Sequence, residues 1–129
     1  MRRRLLFTTD PIDEAALLRE RHASPGSGAA VCFVGLVRGH EGGQPIRALH
    51  YEAFVAMAER QLQRLCEEVE KRWTVESIRV IHRLNEVQVG EAAVWVEVVA
   101  PHRAEAFAAC QWLMDELKQR APVWKKPVF

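Results

Sequence analysis

The chain has few cysteines, no long apolar run and almost no net charge, and each shortage removes a class of protein. Cys32, Cys66 and Cys110 are the only thiols in 129 residues, an odd number at wide spacing among apolar neighbours. A disulfide framework is therefore not expected, and reduced thiols of a cytoplasmic protein are. No Cys-x-x-Cys or His-x-x-x-His pair occurs among these cysteines and His22, His40, His50, His82 and His102, which leaves no zinc-site pattern. Val31-Cys32-Phe33 reads as buried strand, a poor setting for a nucleophilic thiol. No apolar stretch approaches the roughly 20 residues of a membrane span. Met1-Arg2-Arg3-Arg4-Leu5-Leu6-Phe7 imitates the start of a signal peptide, but its apolar part is too short and Thr8-Thr9-Asp10 follows. With 18 Lys and Arg against 17 Asp and Glu the formal net charge is +1, and no aromatic-basic stacking platform is evident, so nucleic-acid binding is not expected.

What the chain does contain is ordinary globular composition, 49% hydrophobic and 27% charged, which fits one domain over residues 1–129. Arg3 to Thr8 is a candidate strand. Asp10-Pro11 supplies an N-cap followed by proline at the first helical position, with a short helix to about His22. Ser24 to Gly28 breaks the chain, and Ala29 to Val37, uncharged and rich in β-branched residues, reads as a central strand. A glycine-bearing loop, Gly39 to Pro45, precedes a further strand over Ile46 to Phe54, whose polar face is ambiguous. Ala58, Leu62, Leu65, Cys66, Val69 and Trp73 recur at helical spacing and predict a long amphipathic helix. Ile78 to Leu84 and Ala92 to Val99 are strands on either side of a turn at Val89-Gly90-Glu91. The stripe Ala106, Phe107, Cys110, Leu113, Met114, Leu117 predicts a last helix over Arg103 to Arg120. The order β-α-β-β-α-β-β-α indicates an α+β fold with helices packed on a mainly antiparallel sheet.

The charge is nearly balanced overall but not locally. Lys118, Arg120, Lys125 and Lys126 fall within nine positions around Ala121-Pro122-Val123-Trp124. Such a cluster suits a small anionic ligand, although cations in a helix's last turn also favour the macrodipole without any ligand. Lys118 follows Met114 by four residues, so it lies at the margin of the apolar stripe and can keep its stem in the core while its amine reaches a crevice. Trp124 can shield part of such a site. Two more basic groups stand at element ends, Arg38 after a strand and His102-Arg103 before the last helix. If the three ends meet, guanidinium, imidazole and ammonium donors form a pocket for phosphate or another oxyanion. The loop at Gly39 to Gly43 is not a phosphate-binding P-loop, because no Gly-Lys-Ser/Thr ending or helix follows. No Ser-His-Asp set, paired carboxylates or nucleotide fingerprint is present, and Glu86, Glu91, Glu97, Asp115 and Glu116 read as turn, sheet or helix-surface charges. If there is catalysis, lysine is the best candidate group.

The strings Phe33-Val34-Gly35-Leu36-Val37-Arg38, His50-Tyr51-Glu52-Ala53, Ile81-His82-Arg83-Leu84, Ala100-Pro101-His102-Arg103-Ala104-Glu105-Ala106-Phe107 and Leu117 to Lys126 resemble, in order, the large catalytic subunit of molybdopterin synthase. The resemblance covers nearly the whole chain, and the Lys-x-Arg-Ala-Pro-x-Trp-Lys run with the His-Arg pair is its most specific part. It implies an α/β-hammerhead type of fold and a sulfur-transfer step in molybdenum cofactor biosynthesis. A small ubiquitin-like carrier with a C-terminal Gly-Gly thiocarboxylate is the implied partner, and cyclic pyranopterin monophosphate the implied substrate. No metal or cofactor of the protein's own is implied. The assembly implied is a dimer of large subunits with a carrier at each end, a heterotetramer. Residue by residue, Lys118 matches the catalytic lysine and Lys125 a second lysine that holds substrate or the carrier's terminus. Arg38, His102 and Arg103 match anion-binding positions, Leu36 and Val37 contribute backbone beside Arg38, and Lys126 and Pro127 end the substrate-contacting stretch. The chain departs from the pattern in two places: Pro127 stands where the family often has Glu, and the sequence stops at Phe129 where many members continue into a tail with a Trp-Val-Glu run. The alternative to an enzyme is a non-catalytic module that uses the same pocket to bind an acidic C-terminal tail or a phosphorylated metabolite.

Overall fold

A computed structural model describes all 129 residues. In chain order the elements are β1 (Arg2–Thr8), α1 (Glu14–Arg19), β2 (Ala29–Leu36), a small hairpin of β3 (His40–Glu41) and β4 (Gln44–Pro45), β5 (Ala48–Ala53), α2 (Val55–Arg72), β6 (Ser77–Arg83), β7 (Asn85–Gln88), β8 (Ala92–Ala100), α3 (Arg103–Arg120) and β9 (Val123–Val128). The eight expected elements are all present, and β3, β4, β7 and β9 are added to them. The fold is α+β and mainly antiparallel, as the pattern implies. In the larger sheet, ordered β1-β6-β8-β2, only the β1–β6 pair is parallel.

The larger sheet is covered on both faces, which explains why β8 is buried along nearly its whole length. On one face Val94, Val96 and Val98 pack with Ile78 and Val80 against Leu62, Leu65 and Val69 of α2 and Leu113 and Leu117 of α3. On the other face Trp95 and Ile81 meet Leu17 of α1, with Ile12 and Val34 at the margin. The period of 3.6 in α2 and α3 supplies the apolar stripes, and the period of 2 in β8 supplies a residue to each face. Arg79 and Glu97 are cross-strand partners on the α1 face. The Glu97 carboxylate, 0% exposed, accepts hydrogen bonds from Arg79 Nε at 2.8 Å and Nη2 at 2.9 Å, and from Arg21 Nε at 2.6 Å. Glu97 is thus a buried ion-pair partner and not a sheet-surface charge.

The first helix starts later than Asp10-Pro11 suggests. Asp13 is its N-cap, its side chain accepting from Ala16 N at 3.0 Å, so Pro11 and Ile12 precede the helix and Ile12 packs at the Trp95 cluster. The uncharged β2 lies at the sheet's edge and not at its centre. Cys32 is consequently exposed, and Phe33 and Leu36 are 40% and 60% exposed. Apolar composition signals a strand, but not whether a neighbour covers both of its edges.

The second sheet, ordered β7-β5-β9, forms the side wall of the site. Its strand β9 escapes sequence reading because Lys125, Lys126 and Pro127 interrupt the apolar pattern. Antiparallel register with β5 nevertheless sets Tyr51 opposite Lys125, His50 opposite Lys126 and Leu49 opposite Pro127. Val37, Ile46, Leu49, Val87 and Ala93 fill the space beneath.

Candidate functional site

The end of α3 delivers Lys118 to a cavity of about 630 Å³ between the two sheets. Ala121 closes α3 with its N–H donating to Leu117 O, and the chain then turns directly into β9, which returns Lys125 to the same cavity. Arg38 enters from the chain just beyond β2. Three cations from three separate elements therefore border one space. Lys118 and Arg38 have no carboxylate within ion-pair distance, whereas Lys125 Nζ lies 3.7 Å from Glu41 Oε1. Glu41 sits on the β3–β4 hairpin, whose turn requires positive φ at Gly42 and Gly43, +58° and +80°.

The rest of the lining is apolar and aromatic, including Phe33, Leu36, Met114, Leu117 and Trp124. Trp124 is held in place by its indole N–H, which donates to Glu52 Oε2 at 2.9 Å, and by edge-on contact with Phe54 at 5.1 Å. Two neutral polar side chains complete the wall. Tyr51, beside Lys125 in the β5–β9 register, has its phenol pushed above the usual range by burial and by the Glu41 carboxylate. Burial holds the His82 imidazole below its usual range, a shift only partly opposed by its hydrogen bond to Arg83 O.

The expected site residues divide into two groups. Leu36, Arg38, Lys118 and Lys125 meet at the cavity. Val37 adjoins Arg38 but is itself buried at 3% exposure in the core beneath the second sheet. Lys126 lies outside the lining, its Nζ 3.9 Å from Glu52 Oε1, and Pro127 is exposed and also outside it. His102 and Arg103 do not join the pocket within one chain. They begin α3 and Lys118 ends it, so 15 residues of helix, about 22 Å at 1.5 Å each, separate them. The three basic ends thus do not converge within the chain, because two of them are opposite ends of one rigid helix.

Tyr51, His82, Glu41 and Met114 border the cavity without having been picked out as site residues. Tyr51 and His82 do lie in His50-Tyr51-Glu52-Ala53 and Ile81-His82-Arg83-Leu84, two of the stretches that carry the family resemblance. Which face of each strand they occupy depends on pairing between the sheets. Chemically the cavity offers an oxyanion three donor-bearing cations, an aromatic surface for a flat ring, and no thiol in its lining. Cys32 and Cys110 border a neighbouring groove that also reaches Lys118, but burial raises both thiols, to about 11 for Cys110.

A sequence profile of the family described as MoaE protein matches residues 7–120. A Vibrio cholerae protein named molybdopterin synthase catalytic subunit is 44% identical over 100 residues, covering 78% of this chain and 67% of its own length. Relatives of the same name run longer in Arabidopsis thaliana and Homo sapiens, where the chain spans 54% and 56% of their lengths. Among solved structures, that of molybdopterin synthase from Staphylococcus aureus superposes with a TM-score of 0.87 at 31% identity, over 95% of this chain and 89% of that one. A complex of subunits 1 and 2 of the molybdopterin-converting factor from Helicobacter pylori has the same fold, with a TM-score of 0.78 at 20% identity, over 98% and 88% of the two chains.

Proposed function

This chain belongs to the MoaE family, whose curated members are catalytic subunits of the sulfurtransferase molybdopterin synthase, and from that premise we propose how its own cavity works. The chain, one domain over residues 1–129, takes sulfur from the C-terminal thiocarboxylate of a small ubiquitin-like carrier ending in Gly-Gly. The acceptor is cyclic pyranopterin monophosphate, and two such carriers, each giving up one sulfur and leaving with a C-terminal carboxylate, yield the dithiolene of molybdopterin. The single observation that carries this reading is the convergence of Arg38, Lys118 and Lys125 on one cavity with aromatic walls.

Each group has a role that its surroundings suit. Arg38 offers a planar fork of donors to the substrate's phosphate. Lys118 has no carboxylate partner to neutralise it, so its charge is available to stabilise or protonate the leaving oxygen as the cyclic phosphate opens and carbon gains sulfur. Lys125 holds the carrier's terminal carboxyl group or the substrate, exchanging its contact with Glu41 for one with the incoming anion. A cavity lined without thiol is compatible with a nucleophile that arrives on the carrier. The Helicobacter pylori complex of two subunits supports a small-subunit partner for this fold.

His102 and Arg103 fit this reading through a second copy of the chain. A two-fold dimer of the kind the implied heterotetramer contains, with the start of one α3 set near the end of the other, would bring the His-Arg pair to the partner's cavity. The chain works in the cytoplasm on this reading, and no helix is long and apolar enough to cross a membrane.

The decisive assay mixes the purified chain with thiocarboxylated carrier and the cyclic precursor and measures molybdopterin. Lys118→Ala should lower the rate at least about a hundredfold while leaving carrier binding intact, the scale on which removing a charge stabiliser acts. Full activity in that variant refutes the role of Lys118. Carrier binding by the unaltered chain without product refutes the enzyme and leaves a binding module.

A further inference from the structure

His82 borders the cavity but has no part in the reaction as argued above. It is 8% exposed, whereas Lys118, Lys125 and Arg38 are all exposed, so the imidazole belongs to the inner wall and the cations to the rim. Its ring is fixed on two sides, stacked on Phe7 at 5.8 Å and met edge-on by Tyr51 at 5.3 Å. Nδ1 lies 2.9 Å from the backbone oxygen of Arg83. A carbonyl only accepts, so the proton resides on Nδ1 and the lone pair on Nε2. Nε2 makes no hydrogen bond within the chain, and it is not among the buried polar atoms sealed away without a partner. The ring, part of the cavity lining, thus carries a neutral acceptor at Nε2 that no group of the chain engages.

The one other neutral polar side chain in the lining is Tyr51, whose phenol can donate as well as accept, whereas His82 Nε2 can only accept. Arg38, Lys118 and Lys125 donate only, and Glu41 is a charged acceptor beside Lys125. We infer that His82 Nε2 accepts a hydrogen bond from a ring N–H or O–H of the substrate and so orients it, with the anionic group at the cationic rim and the uncharged heterocycle against the inner wall. This rests on the reading that the cavity takes a phosphorylated heterocycle. It adds a specificity residue that recognises the end of the substrate remote from the phosphate.

Two measurements test it. His82→Phe keeps a flat ring between Phe7 and Tyr51 but removes the acceptor, leaving a substrate donor unpaired. The KM for the cyclic precursor should rise roughly 5- to 100-fold, with the KM for the carrier unchanged, and His82→Gln, which restores an acceptor oxygen, should recover most of the loss. In the unaltered chain, the ¹⁵N resonance of His82 Nε2 should move on adding the precursor and stay in place on adding inorganic phosphate alone. That measurement stands even if the Phe variant fails to fold. An unmoved resonance with bound precursor, or a KM change confined to the carrier or shared equally between the two, overturns the inference while the enzyme reading survives. Failure of the unaltered chain to bind the precursor overturns both.

Discussion

Glu97→Gln tests whether the buried charge cluster holds the α1 face of the sheet together. The carboxylate is 0% exposed and receives three guanidinium hydrogen bonds, two from Arg79 and one from Arg21. Arg21 is partly exposed and can turn to water when its partner is lost. Arg79 cannot, because it is 8% exposed, has its Cζ 4.8 Å from the centre of the Trp95 ring, and already has one nitrogen, Nη1, without a partner. The substitution therefore leaves a buried cation without its counter-charge, which costs about 3–5 kcal/mol, a large share of the roughly 5–15 kcal/mol that a domain of this size commands. Urea unfolding at pH 7, read by tryptophan fluorescence, should show that loss. Replacing both partners, Arg79→Met with Glu97→Leu, should recover most of it, since the penalty belongs to the unpaired charge and not to the missing pair. The pH dependence follows the same logic. Burial alone would raise the Glu97 carboxyl, but hydrogen bonds from Arg79 and Arg21 outweigh it and hold it below its usual range. A depressed folded-state value stabilises the fold above the unfolded value, about 4.3, and that stabilisation disappears as pH falls through the folded value. The native protein should thus lose stability below about pH 4 more steeply than the Arg79→Met, Glu97→Leu variant. A loss under about 1 kcal/mol for Glu97→Gln at pH 7 refutes the reasoning.

Three further outcomes are expected. Mixing Lys118→Ala with Arg103→Ala chains, each inactive alone, should restore activity in about a quarter of the sites if a two-fold dimer builds each site from the end of one α3 and the start of the other; no recovery after subunit exchange refutes the shared site. Gly35→Ala places a Cβ 2.6 Å from Val94 Cγ1 in the cavity wall, and thermal unfolding should register a loss of about 1–3 kcal/mol from overpacking. A disulfide thiol reagent at neutral pH should label exposed Cys32 in the folded chain, slowly because burial and Glu97 raise its thiol, and should reach buried Cys66 and Cys110 only after denaturation. Rapid labelling of all three refutes the placement of the cores.

Much of the architecture is legible from spacing. The stripe of α2 from Ala58 to Val69 is the set of residues the structure buries, and Val94, Val96 and Val98 share one face of β8 as their alternation demands. Local rules fail where pairing partners decide the outcome. Lys125-Lys126-Pro127 has no strand signature, yet β5 recruits it as β9 because the chain must turn back after Ala121. Cys32 reads as core and is exposed, because its strand has a neighbour on one edge only. Glu97 reads as a surface charge and is buried, because Arg79 and Arg21 reach it from other elements.

By itself the sequence determined the three helices and five of the nine strands, that a cationic cluster stands on a nearly neutral chain, and, through its motifs, the family. Those properties are written in nearest neighbours and in periods of 2 and 3.6 residues, which no distant contact is needed to read. Tertiary structure alone decided which basic residues share a space. A helix is a rigid rod, so Arg103 and Lys118, both motif residues, are held apart by its length, while Lys118 and Lys125 are brought together by the turn that ends it. Register between β5 and β9 likewise sets Lys125 beside Tyr51 at the cavity, while Lys126, opposite His50, lies near Glu52 outside the lining.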